Sequence, residues 1–128
     1  WCASSLSLVA RSGGAQAPMR AIAIQNYDQA VIGDVRFEPS PRAAREFELG
    51  YAVAKSRRRQ GYAVEAAGAV LDWLFADAGA ECVIAGCDKE NLASVRTLRK
   101  LGLWVDSNPG TTFWWVISWE RRAEALLR

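Results

Sequence analysis

Over residues 45–78 the apolar side chains change period once, and the change falls on a loop carrying Lys55, Arg57, Arg58 and Arg59. Residues 45–53 alternate as a strand does, with Gly50 inside them, where a glycine marks a bulge or a close backbone approach. Residues 61–78 then set Val64, Ala67, Gly68, Leu71, Leu74, Phe75 and Ala78 at helical spacing. Glu65, Asp72 and Asp77 fall mostly off that stripe, and Gly79 ends it. A strand, a basic loop and a long amphipathic helix in succession commit the chain to a sheet with helices packed on it.

The junction has chemical content of its own. A loop entering a helix offers unpaired backbone N–H groups and the positive end of the helix dipole, which together favour an anion. Gly61 and Ala63 leave room for a phosphate to approach the backbone, and the four cationic side chains add charge around it. A polyphosphate group suits such a place. No Gly-Lys-Ser/Thr follows, so it is not a Walker loop, and it is not a G-x-G-x-x-G dinucleotide turn. The competing reading is a solvated charged face in front of an ordinary helix, as charge runs usually are.

Around this unit the remaining segments read as follows. Residues 3–11 form a short helical remnant, and 12–18, rich in Gly and Ala, form a flexible linker. Residues 19–25 and 30–37 pair as a hairpin across the polar turn 26–29. Residues 81–87 are nearly all apolar and form a central strand. Residues 91–101 form a second helix with Leu92, Val95, Leu98 and Leu101 inward and Gly102 at its end. Residues 103–106 and 111–119 form a last hairpin, and 120–128 a helical tail. The whole is one domain: 1–18 remnant and linker, 19–119 core, 120–128 tail. A chain of 128 residues is of single-domain size.

Composition removes several chemistries. There is no histidine, which excludes His-based triads and most zinc sites. Cys2, Cys82 and Cys87 are odd in number and match no metal spacing; they read as reduced packing thiols of a cytoplasmic protein, with no metal. A formal net charge of +2 announces neither nucleic acid nor membrane as a partner, and no apolar run reaches the ~20 residues of a membrane helix. Phe113, Trp114 and Trp115 are consecutive in a strand and point to both faces. Either both faces are covered there or one meets another chain, which would make a homodimer.

A family resemblance joins these pieces. Arg58-Arg59-Gln60-Gly61-Tyr62-Ala63 resembles the acetyl-CoA pyrophosphate motif Q/R-x-x-G-x-G/A of the GNAT superfamily of N-acetyltransferases. Gly50-Tyr51, Gly61-Tyr62-Ala63-Val64-Glu65-Ala66, Asn91, Ser94 and Lys100-Leu101-Gly102-Leu103 stand in the order found in its RimJ/RimL branch. Ile32-Gly33 is similar to that branch's preceding strand, and the likeness extends over residues 22–119. It implies an α+β fold, an α/β/α sandwich whose mixed, mostly antiparallel sheet is splayed between two central strands, with helices on both faces. Members normally carry a further strand and helix before residues 3–11, so the expected fold is N-terminally shortened. The chain opens on Trp1 rather than Met.

The resemblance also implies acetyl-CoA as cofactor. Its pantetheine arm would lie in the splay, against the backbone of Tyr51, Ala52 and Val53 as an added strand would, with Gly50 as the bulge. Its pyrophosphate would rest on the amides of Arg58, Arg59, Gln60, Gly61, Tyr62, Ala63 and Val64, and its 3′-phosphate on a loop arginine. The family loop usually carries proline where Lys55 stands and glycine where Arg59 stands.

Acetyl transfer to a primary amine needs a base, a polarised carbonyl and a protonated or stabilised thiolate. Without histidine the base is a carboxylate, and Glu48 is the candidate, two residues before Gly50, where the branch often has glutamate. Glu48 reads equally as a surface carboxylate paired with Arg45 or Arg36. Ser94 is the candidate donor to the thiolate, while Asn91 would hold the pantetheine or orient a water. Both fall three residues apart at the start of the second helix, so simple capping explains them as well. The acceptor is a small-molecule amine, a protein N-terminus or a lysine. Two rivals stand beside this enzyme: a CoA-binding module of the same fold without turnover, and an arginine-loop domain binding nucleic acid or a protein partner.

Overall fold

The computed structural model describes residues 2–3, 5–12 and 19–126. Its strands are β1 (Cys2–Ala3), β2 (Leu6–Ser12), β3 (Met19–Gln25), β4 (Val31–Pro39), β5 (Glu46–Val53), β6 (Cys82–Asp88), β7 (Trp104–Ser107) and β8 (Thr112–Ser118). Its helices are α1 (Tyr62–Ala76), α2 (Leu92–Leu101) and α3 (Trp119–Leu126). The strands form one sheet in the order β1-β2-β3-β4-β5-β6-β8-β7. Every neighbouring pair is antiparallel except β5 and β6, the pair joined by α1.

The expected helix at residues 3–11 is a strand. Leu6 and Leu8 are buried while Ser7 and Val9 are not, a period of two, and the segment pairs with β3 from Leu6↔Gln25 to Ser12↔Met19. A run this short carries too few residues to separate that period from a helical one, and pairing along all of β3 decides it. Of the expected linker, only Ser12 is described, as the end of β2; residues 13–18 lie outside the described residues.

The core face of the sheet carries Leu6, Leu8, Ala21, Ala23, Val35, Phe37, Leu49, Val83, Ala85, Trp115 and Ile117. It packs on Ala66, Ala67, Val70, Leu71 and Leu74 of α1 and on Val95, Leu98 and Leu101 of α2. The two helices lie side by side: a methyl on Gly68 would meet Leu101 at 3.6 Å. Arg122 of α3 joins them, donating to Asp72 at 2.9 Å and to the Leu101 carbonyl at 3.3 Å. Helices were expected on both faces. Among the described residues α1 and α2 share one face, because both follow from crossovers that advance the same way along the sheet and turn with the same hand. The opposite face carries Ile22, Arg20, Asp34, Arg36, Glu38 and Glu48, with Arg20 and Asp34 paired at 2.9 Å.

Trp114 and Trp115 divide between the faces as alternation requires. Trp115 is 2% exposed in the core, and Trp114 lies across Gly86, where a Cβ would stand 3.0 Å from the indole.

Candidate active site

The central feature is a parting of strands. β5 and β6 pair only at Glu46↔Cys82, Phe47↔Val83 and Glu48↔Ile84. Beyond Glu48, β5 stays paired with β4 through Gly33↔Val53, while β6 continues beside β8 alone. Residues 49–53 therefore present a strand edge with no ladder partner on the β6 side. Tyr51, Ala52 and Val53 lie on that edge. Gly50 supplies no bulge: the β4–β5 register runs unbroken through Arg36↔Gly50, and the Arg36 guanidinium lies over the glycine, 3.6 Å from where a Cβ would stand. Register shifts fall instead between β3 and β4, at Ala23/Ile24, and between β7 and β8, at Val105/Ser107.

The edge leads through a 3-10 turn, Lys55–Arg57, to the N-terminus of α1. Gly61 is the N-cap at φ 80° and carries no side-chain cap. The first amides of the helix are thus left for an outside acceptor. Arg58 donates from Nε to the Val53 carbonyl at 3.0 Å, holding the loop against the end of the strand. Arg59, where the resembling family usually has glycine, sits at φ 64° in the left-handed region. Lys55, Arg58, Arg59 and Gln60 are exposed. A small hollow lies beneath, lined among others by Tyr51, Val53, Tyr62, Ala63 and Ala66.

Arg57 is spent elsewhere. It pairs with Asp28 at 3.0 Å, donates to the Tyr27 hydroxyl at 3.3 Å, and donates to the Gln25 side-chain oxygen. The Ala30 amide first, and Arg57 with it, hold the Asp28 carboxyl below its ordinary range. Gln25, 1% exposed, donates a hydrogen bond from its side-chain amide to the Tyr62 hydroxyl. The Tyr62 side chain thus points to the floor of the loop, and only its backbone faces the helix mouth. Sequence reasoning missed Gln25. The available signal was a long polar side chain at the inward position of β3, in step with Ala21 and Ala23.

Across the parting, Asn91 caps α2: its Oδ1 accepts from the Ser94 amide at 3.2 Å. The Tyr51 hydroxyl donates toward Ser94 Oγ at 3.3 Å. Burial pushes the Tyr51 phenol up, which keeps it protonated. Ser94 and Tyr51 thus meet on the helix side of the splay. Glu48 sits an odd number of residues from Tyr51 on an unbroken strand, so it points to the other face. Neither expected arginine pairs with it: Arg45 binds Glu81 at 3.1 Å, and Arg36 covers Gly50. Cys87 lies near the same spot, its Sγ accepting from Trp115 Nε1 at 3.2 Å, and Cys82 and Cys87 are both free thiols.

The site is thus a sheet that parts between a parallel pair of strands, beside an uncapped helix start ringed with cations. A family model described as "Acetyltransferase (GNAT) domain" matches residues 3–103, and the chain belongs to that family. It is 38% identical over 77 residues to the uncharacterized N-acetyltransferase YjdG of Bacillus subtilis, a match covering 60% of this chain and 45% of that protein. The chain thus spans less than half the length of this curated relative. Among solved structures, a GNAT-family acetyltransferase from Bacillus anthracis superposes with a TM-score of 0.72 at 24% identity, covering 79% of this chain and 66% of the other. RimJ of Mycobacterium smegmatis, in complex with CoA-disulfide, superposes at 0.71 with 22% identity, covering 87% and 58%. These two likenesses establish the fold. Among the described residues no helix is long and apolar enough to cross a membrane, and no group of His, Cys, Asp and Glu is arranged to hold a metal ion.

Proposed function

We propose that this chain is the cofactor-binding and catalytic core of an acetyl-CoA-dependent N-acetyltransferase of the RimJ/RimL type, acting on a primary amine in the cytoplasm. The observation that carries the reading is the continuous path from the unpaired edge of residues 49–53 to the uncapped start of α1. One end suits an amide-bearing arm, the other a diphosphate. Tyr51, Ala52 and Val53 offer backbone to the arm. The amides from Arg58 to Val64 receive the phosphates, with Lys55, Arg58 and Arg59 as counter-charges.

Acetyl-CoA supplies an acetyl group activated as a thioester. The chain's own residues divide the remaining work between the two faces of the sheet. Glu48 would take the proton that the attacking amine loses, directly or through a water. Ser94, on the opposite face, would donate a hydrogen bond to the sulfur of the leaving thiolate. Serine is a weak acid, so Ser94 stabilises the thiolate rather than surrendering its proton. The amine's proton balances the one the thiol regains. An α-amine, with a reference pKa of ~7.7–8.0 against ~10.4 for lysine, asks less of a carboxylate base.

Isothermal calorimetry with acetyl-CoA and a thiol-release assay over a panel of α-amines, lysine peptides and polyamines test the proposal. Binding with release is the expected result. A second reading is a CoA-binding module of the same fold that does not turn over, favoured by the unbroken β4–β5 ladder, which turns Glu48 to the face of the sheet away from Ser94. Binding without release on every amine would select it. No binding at all would sink both.

A further inference from the structure

The Tyr51 hydroxyl and Ser94 Oγ stand 3.3 Å apart, and which of them donates matters for the leaving group. Two features hold Ser94. Its amide is fixed by Asn91 Oδ1 at 3.2 Å, and its Oγ and carbonyl oxygen stand 3.3 and 3.5 Å from the Tyr51 hydroxyl. A serine hydroxyl has one proton and two acceptor lone pairs. A phenol donating into one lone pair leaves the serine proton to point elsewhere. The residues flanking this contact belong to the splay: β5 beyond its last rung with β6, and the first turn of α2.

We propose that Tyr51 is a positioning residue for Ser94, aiming its hydroxyl proton at the sulfur that leaves. This rests on the function proposed above and adds to it a residue that acts through another. Tyr51 is suited to the part. Its place on β5 is fixed by pairing with Val35, so the hydroxyl is delivered from a rigid strand. Burial holds the phenol protonated against alkaline pH. The other groups facing it are the Thr97 hydroxyl, one turn further along α2, and the Cys87 thiol. Neither is a cation that would draw off the phenolic proton. The opposite direction, Ser94 donating to the phenol, would use up the serine proton and leave the sulfur without it.

The two directions predict opposite shifts in one measurable quantity, the thiol pKa of bound CoA. Free CoA is titrated on the full chain, and the thiolate is followed by its ultraviolet absorbance, so no acceptor amine is needed. A hydrogen bond to an anion favours its charged form. Ser94→Ala is therefore expected to raise the bound thiol pKa by about one unit. Tyr51→Phe is expected to raise it in the same direction by less, and the double variant to match Ser94→Ala alone. A second variant, Tyr51→Met, lacks both ring and hydroxyl and must agree with Tyr51→Phe, so altered packing does not pass for lost donation. Each variant is first shown to melt cooperatively and to bind CoA at a pH below thiol ionisation, and the thiol pKa is compared among those that do.

A Tyr51→Phe value equal to the parent's, a lowered value, or an effect that adds in full to that of Ser94→Ala overturns the positioning role. If CoA binds but Ser94→Ala leaves its thiol unmoved, Ser94 is not the donor and Tyr51 has nothing to aim. If the parent chain fails to bind CoA, the proposed function itself is lost, which is a different result from either.

Discussion

A methyl group on Gly33 would stand 2.1 Å from the carbonyl oxygen of Ala52. No side chain fits that distance, so β4 and β5 approach as they do only because position 33 is glycine. The contact lies on the strand that forms the open edge of the splay. Gly33→Ala must push Ala52 toward the cleft or break the Gly33↔Val53 rung. Overpacking of this kind costs ~1–3 kcal/mol or more. A lowered urea midpoint is expected, together with weaker acetyl-CoA binding; an unchanged midpoint would show that the strands can move apart freely.

Arg59 adopts φ 64° with no compensation from its side chain among the described contacts. The left-handed region costs a non-glycine residue about 1–2 kcal/mol. Arg59→Gly is therefore expected to raise Tm by a few degrees. It also deletes a charge near the helix mouth, so the same variant should bind acetyl-CoA more weakly at low salt, with the difference closing as salt is added. Stability and affinity moving in opposite directions is the signature to look for.

The sequence displayed this fold unevenly, for reasons that can be located. The α1 stripe from Val64 to Leu74 is long enough for its period to be read. The Asn91-x-x-Ser94 cap is local, so three residues contain the whole interaction. By contrast Leu6 and Leu8 offer two buried residues, and only their pairing with β3 makes them a strand. Gly50 reads as a bulge because glycine in a strand often marks one; here the ladder runs unbroken, and a Cβ would meet only the Arg36 guanidinium at an ordinary contact distance of 3.6 Å. Arg57 looks like its neighbours Arg58 and Arg59 in the sequence. Its bond to Asp28 closes 29 residues of chain, and no spacing rule anticipates it.

That bond separates two kinds of cation in one loop. Arg57→Ala is expected to lower Tm, because Asp28 and the buried Gln25 lose their partner. Lys55→Ala, at an exposed side chain, is expected to leave Tm within a degree or so and to weaken acetyl-CoA binding several-fold through lost charge. Differential scanning fluorimetry and calorimetry on the pair decide the matter. A larger loss of affinity in a normally stable Arg57→Ala would return that arginine to the phosphates.

Glu48 lacks a cationic partner among the described ion pairs and stands at the last rung before the strands part. Glu48→Gln keeps its size and removes its basicity. General-base catalysis is worth roughly a hundredfold or more, so kcat in thiol release should fall by about that factor, while the acetyl-CoA Kd holds. The loss should be greater for lysine-type amines than for α-amines, since the former hold their proton more tightly. Equal rates in the variant would make Glu48 a surface strand residue.

Glu46, only 6% exposed, is held by Arg42 at 3.1 and 3.0 Å and by the Ser40 hydroxyl at 2.6 Å. The Arg42 hydrogen bonds first, and Ser40 after them, draw its carboxyl below the ordinary 4.5, against the opposing pull of burial. A carboxyl lowered in the folded state stabilises fully above its unfolded pKa and loses that contribution as pH falls through the folded value. The cluster ties the start of β5 to the loop before it, so its loss reaches the base of the splay. Glu46→Gln is expected to melt several degrees below the parent at neutral pH. The two melting curves should converge as the pH is taken well below 4.5. A gap that stays constant into acid would mean that shape, not charge, holds this corner together.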